Sequence, residues 1–189
     1  MAGSGHVKKM ARHGEAERGL GRNDDGMHTR HVEGVTIRPL RGGDTASVAE
    51  LFGRLGPRSR QRRFGGAKPR LSDGDLAALA RIDGDHHSLV AYLPGDPAPA
   101  GMAQLVRDGS AGEVAFAVAD VYQGRGLGSL LARELAAEAR AAGITTLRAT
   151  VSGDNPPVVS LLARLAASLH VRWRGGQREF VIGLESRAQ

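Results

Sequence analysis

From Val35 onward the apolar positions recur with periods that suit strands and helices; before it they do not. Residues 1–33 mix Gly, His, Arg, Asp and Glu with no apolar period. Such a stretch offers too little burial to offset the entropy of ordering, so a disordered tail over 1–33 and a folded domain over 34–189 are expected. VTIRPL, starting at Val35, alternates as a short strand does. GDTASVAELFGRLG then reads as a helix, with Asp44 or Thr45 as its cap and Gly56 near its end. LSDGDLAALARI (71–82) is a second helix, entered at Ser72 or Asp73. Strands follow at 87–93, 100–108 and 112–120, joined by short turns that suit an antiparallel meander.

Beyond the meander stands QGRGLG (123–128). It opens the best amphipathic helix of the chain, LGSLLARELAAEARAAG (127–143), which places Leu127, Leu130, Leu131, Leu135 and Ala139 on one face. A strand at 145–152 comes next, then a helix from about 155–159, and finally two strands, LHVRW and REFVIGL, split by Gly175-Gly176. The predicted architecture is a single α/β domain in the order βααβββαβαββ: a mixed central sheet flanked by helices, with one parallel crossover through the glycine turn.

Composition changes this picture little. The 189 residues, 41% hydrophobic and 24% charged, suit one globular core. There is no cysteine, which excludes disulfides and thiolate chemistry, and the histidines lack ligand spacing, so no metal is expected. No apolar run approaches the roughly 20 residues of a membrane span, and no signal peptide follows Lys8-Lys9, so a cytoplasmic location is expected. The net charge of +6 is local, since seven basic residues from Arg54 to Arg70 meet no acid. With aromatics at 4%, base-stacking platforms are scarce and nucleic acid is the weaker reading of that charge.

QGRGLG carries the chemistry. The N–H groups of a first helical turn have no intrahelical partner and sit at the positive end of the helix dipole, where they favour an anion, and glycine lets it come close. A Walker loop would need a Gly-Lys-Ser/Thr ending, and a dinucleotide fingerprint would need glycine where Ser129 stands, together with a parallel strand order. What remains is Gln/Arg-x-x-Gly-x-Gly/Ala, met by Gln123, Gly126 and Gly128.

This turn resembles the pyrophosphate loop of the GCN5-related N-acetyltransferase (GNAT) family, and residues 35 to 184 resemble that family in element order. The resemblance implies acetyl-CoA as co-substrate, its pyrophosphate on the amides of Gly124, Arg125, Gly126, Leu127 and Gly128. The pantetheine arm would run along the 112–120 strand near Val118, in a gap where that strand diverges from 145–152. Arg125 has two readings, a phosphate contact or a solvated turn residue. So does Asn155, which either holds the cofactor arm or caps the helix that Pro156 begins.

In the same resemblance, closest to bacterial protein-lysine acetyltransferases, Glu113 corresponds to a general base; its bland alternative is an exposed strand-edge carboxylate. The tyrosine that protonates the leaving thiolate in many members is replaced by Leu162, and Tyr122 is expected to be a packing residue. Residues 59–92 look like the helix pair that borders the acceptor groove, where Arg58, Arg60, Arg62 and Arg63 would face an acidic protein surface or simply water. Trp173 is expected in the core rather than as a substrate platform. The function so implied is an acyltransferase that moves acetyl from acetyl-CoA to a primary amine by direct attack, a protein lysine ahead of a small amine. The rival reading is an acyl-CoA-binding regulatory module without turnover.

Overall fold

The computed structural model describes residues 19–22, 28–32, 34–175 and 177–184. Its nine strands are β1 (Gly19–Arg22), β2 (His28–Val32), β3 (Val35–Pro39), β4 (His86–Tyr92), β5 (Gly101–Asp108), β6 (Ala111–Val118), β7 (Thr146–Val151), β8 (Ser168–Arg174) and β9 (Gln177–Gly183). They form one sheet in the order β1-β2-β3-β4-β5-β6-β7-β9-β8. Five α-helices flank it: α1 (Thr45–Gly53), α2 (Pro57–Phe64), α3 (Asp73–Leu79), α4 (Leu127–Ala141) and α5 (Pro156–Leu165). The expected mixed α/β sheet is present.

The sheet separates two cores, and the alternation of β4 shows how. Leu89 and Ala91 join the core that α4 and α5 cover, whereas Val90, one residue out of phase, joins a smaller core with Val48 and Leu51 of α1. The leucine stripe of α4 enters the larger core, with Leu131 and Leu135 fully buried. The helix ends follow their local chemistry. The Asp44 carboxylate accepts from the Ser47 N–H, and Ser72 and Asp75 form a capping box at α3.

Three expectations are corrected. Part of the 1–33 tail is strand: β2 pairs with β3 from Arg30↔Ile37 to Val32↔Val35, and β1 pairs with β2. Thr29 is buried, and Arg30 forms an ion pair with Glu134 on α4. Backbone pairing against an existing edge supplies what the missing apolar period does not. The remaining tail residues lie outside the described ones. Next, the basic segment contains a helix, α2, so three helices rather than two separate β3 from β4. PRSRQRRF has no apolar stripe, and its only helix signals are Pro57 in the first turn and the left-handed Gly65 just past the end. Last, Trp173 is 74% exposed, on the edge strand β8 outside the core.

One irregularity decides where a ligand can go. All strand pairs are antiparallel except β6–β7, which is parallel and holds only from Ala111↔Thr146 to Glu113↔Arg148. Beyond that point β6 stays on β5 as far as Val118, β7 stays on β9 as far as Val151, and the two diverge.

Candidate functional site

The glycine turn stands at the open end of this divergence. A short 3-10 turn, Asp120–Tyr122, leads from β6 into it. The Gln123 side-chain amide donates to the Val118 carbonyl at 2.9 Å, to Asp120 Oδ1 at 3.2 Å and to Ser59 Oγ at 3.1 Å. Gln123, exposed at the surface, thus ties the turn to β6 and α2 through its side chain. Gly124 and Gly126 hold φ of 74° and 86°, and a Cβ at either would meet nothing within 4 Å. Both adopt the left-handed backbone that glycine permits, beside open space. Gly126 is the N-cap of α4 and offers no side chain to the first-turn N–H groups.

Gly128 serves a different end, because a Cβ there would lie 3.3 Å from Leu161 Cδ1, so its smallness seats α4 against α5. Leu127 is buried in the core. Arg125 is exposed, 5.8 Å from the Tyr122 ring centroid, and lines a cavity of about 470 Å³ together with Gly126, Ser129, Arg133 and Arg164.

A second cavity, about 140 Å³, fills the gap between the strands. Val114 to Ala117 form one wall and Ala149 to Val151 the other, with Ser59, Arg62 and Arg63 of α2 above. Val118 lies just beyond this lining and packs against the larger core. Asn155 lines the cavity and is buried; it occupies the N-cap of α5, yet its side chain makes no capping bond. Leu162 is fully buried in the core. The Tyr122 hydroxyl donates to Asp96 Oδ2 at 2.7 Å, and Arg54, 5.3 Å from the ring centroid, also bonds Asp96 and holds that carboxyl down at about 2. Tyr122 is committed to this packed cluster.

Glu113 marks the closed end of the gap, in the last β6–β7 pair opposite Arg148. It is exposed in a groove of about 440 Å³, shared with Val106, Asp108, Arg148, Thr150, Gln177 and Glu179. Arg148 is ion-paired with Asp108, and Arg172 with Glu179. Thr150 lines both this groove and the gap between the strands, so the two spaces meet beside Glu113.

The arginines of α2 do not form one patch. Arg60 lies over the Phe52 ring at 4.2 Å and donates to the Pro69 carbonyl at 2.9 Å, which makes it structural. Arg62 donates to the Asp154 carbonyl at 3.2 Å, and Arg58 is exposed beside the same loop. Arg63 turns inward to hydrogen-bond Gln104 Oε1 on β5, while the Gln104 amide donates to the Leu79 carbonyl at 2.9 Å. Burial lowers the Arg63 pKa, and the Glu113 charge works in the opposite direction. The sequence reading missed Gln104, although a lone amide in the apolar run AGMAQLVRD was a visible signal. Among the described residues no group of three or more His, Asp or Glu is placed to hold a metal, and no helix is long and apolar enough to cross a membrane.

A strand gap with a glycine turn at its mouth is thus in place, and residues 57–167, which contain both, match the profile of the Acetyltransferase (GNAT) family. The chain belongs to that family. It is 30% identical over 145 residues to acetyltransferase Pat of Mycolicibacterium smegmatis, covering 75% of this chain and 43% of that protein. With an acetyltransferase of Pseudomonas aeruginosa it shares 31% identity over 149 residues, covering 75% of this chain and 76% of the relative. The crystal structure of the GNAT domain of S. lividans PAT superposes with a TM-score of 0.71 at 25% identity, covering 88% of this chain and 97% of that one. This GNAT chain thus spans less than half the length of the Mycolicibacterium relative and nearly all of the isolated S. lividans domain.

Proposed function

We propose that this GNAT chain is an acetyl-CoA-dependent N-acetyltransferase whose acceptor is a primary amine carried on a protein lysine. The observation that carries the reading is the divergence of β6 from β7, open at the glycine turn and closed at Glu113. The residues suit such a donor. The turn offers unpaired N–H groups and empty space where phosphates would lie, and the gap between the strands has mostly apolar walls with free strand edges for pantetheine amides. Gly124 to Gly128 would take the pyrophosphate through their amides, with Arg125 beside them. Asn155, its side chain free of capping duty, would face the arm, and Gln123 would act by bracing the turn.

At pH 7 a lysine amine of pKa about 10.4 is neutral in roughly one molecule in a few thousand, so the attack needs a group that takes the ammonium proton. Glu113 would take the ammonium proton, directly or through a water. The nitrogen lone pair then forms the C–N bond at the thioester carbon, the C–S pair leaves on sulfur, and the second nitrogen proton is lost. In sum, R-NH3+ and acetyl-CoA give R-NH-acetyl, CoA-SH and one proton. A thiol of pKa about 8.5 leaves without an acid, which suits the core placement of Leu162. The exposure of Glu113, with its groove open to the surface, favours an amine borne on a larger body.

The same Leu162 supports a second reading, a module that binds acyl-CoA without turning it over. Following thiol release with acetyl-CoA and a peptide containing one lysine, alongside a panel of small amines, tests both. Release dependent on the peptide is expected. Release with small amines alone would move the acceptor class, and CoA binding without release in any mixture would leave the module.

A further inference from the structure

The donor gap and the acceptor groove meet at Thr150 of β7, and Arg63 of α2 lines the gap with its charge in reach of Glu113. The Arg63 guanidinium has several N–H donors, of which one reaches Gln104 Oε1. The charged groups around Glu113 come from every neighbouring element. Arg148 projects from β7 and is held by Asp108 of β5, Glu179 projects from β9 and is held by Arg172 of β8, and Arg63 descends from α2. Two cations of α2 line the gap with neutral hydrogen-bond partners and no ion-paired carboxylate, Arg62 on the Asp154 carbonyl and Arg63 on Gln104, and Arg63 is the one turned toward the Glu113 charge. A guanidinium does not shed its proton when buried, so this positive charge is permanent.

We propose that Arg63 is a further residue of the transfer, resting on the acetyltransferase reading above: its fixed charge at the junction disfavours the ammonium form of the acceptor at the point of attack. An ammonium entering the groove is drawn in by Glu113 and, as it nears the gap between the strands, is opposed by Arg63. Its N–H bond breaks there, the proton goes to the Glu113 carboxylate or its water, and the neutral amine is the species that advances. Like charge nearby lowers an amine's pKa, as in other sites where a lysine is made nucleophilic beside a cation. Gln104, itself held by the Leu79 carbonyl, fixes the guanidinium where that charge is felt.

The test is the pH profile of kcat, which reports ionisation in the bound complex, for Arg63→Met and Arg63→Lys at saturating acetyl-CoA and saturating single-lysine peptide. Arg63→Met is expected to move the rising limb upward by about one pH unit, roughly the effect of one nearby charge, and to converge with the parent at high pH. Arg63→Lys is expected to restore most of the profile. A lysine-free peptide with an α-amino group of pKa about 8 is expected to show a smaller Arg63→Met deficit, because it needs less help to lose its proton. If Arg63→Met lowers the rate equally at all pH values, or if Lys fails to rescue, the proposal is overturned. Should the Met variant fold poorly, Arg63→Gln, which can still donate to Gln104, is read in the same way. Glu113→Gln in parallel separates the two ideas. A near-normal rate there removes the base without touching the Arg63 shift, whereas a lost rate beside an unmoved Arg63→Met limb removes Arg63 alone.

Discussion

The glycine turn at 123–128 and the Arg63–Glu113 junction stand at opposite ends of one gap between strands, and they are built in opposite ways. The turn is made of six consecutive residues, and its shape comes from backbone: two left-handed glycines, a helix N-terminus without a capping side chain, and one amide that ties the loop to β6. The junction is made of side chains delivered by α2, β5, β6 and β7, none adjacent in sequence. A phosphate group is recognised by N–H groups and by room, which a local turn can supply alone. A proton transfer needs charges at set separations, which only crossing elements can hold. Donor and acceptor handling should therefore fail in different ways.

The largest effect is expected at the junction. Glu113→Gln should lower turnover at neutral pH by at least about a hundredfold while calorimetry shows unchanged CoA affinity, with partial recovery at high pH where the amine deprotonates unaided. Loss of CoA affinity in this variant would merge the two ends that the comparison keeps apart.

The next effect belongs to the turn. Gly126→Val should abolish measurable CoA binding, with the fold retained by circular dichroism, because φ of 86° resists a β-branched residue and the Cβ would enter the free space beside the amides. Full affinity in a folded variant would show that this space is not the phosphate's.

Third comes a change in stability. Deleting residues 1–33 should lower the melting temperature by on the order of 5 °C, since it removes the β2 ladder on β3 and the Arg30–Glu134 pair onto α4, the helix that the turn begins. An unchanged melting temperature would return the segment to the status of a tail.

The smallest effect separates the arginines of α2. Arg60→Ala should cost about 1 kcal/mol in denaturant unfolding, through its lost contact with Phe52 and the Pro69 carbonyl, and leave the pH profile of transfer untouched. An altered profile would restore the view of these arginines as one functional patch.

Much of this molecule is legible along the chain, because its information is short-ranged. The period of the α4 stripe, the alternation of β4 to β6, and a glycine turn between a strand and a helix each depend on residues within a few positions of one another. They sufficed for the element order from Val35 apart from α2, for the mixed sheet and for the place of the glycine turn between strand and helix. What the tertiary structure alone decided lies in contacts between distant residues. HTRHV becomes a strand because β3 presents an unpaired edge, and PRSRQRRF becomes a helix although no apolar stripe announces it. Trp173 stays in water because β8 is the last strand of the sheet. Four arginines that look alike in sequence take separate duties, since one turn of α2 sends Arg60 onto Phe52 and Arg63 onto Gln104 beside the gap. Periodicity says which face of an element is apolar. Which partner that face or edge meets, and so what a charge on it can do, is settled only when the sheet order and the strand register bring distant residues together.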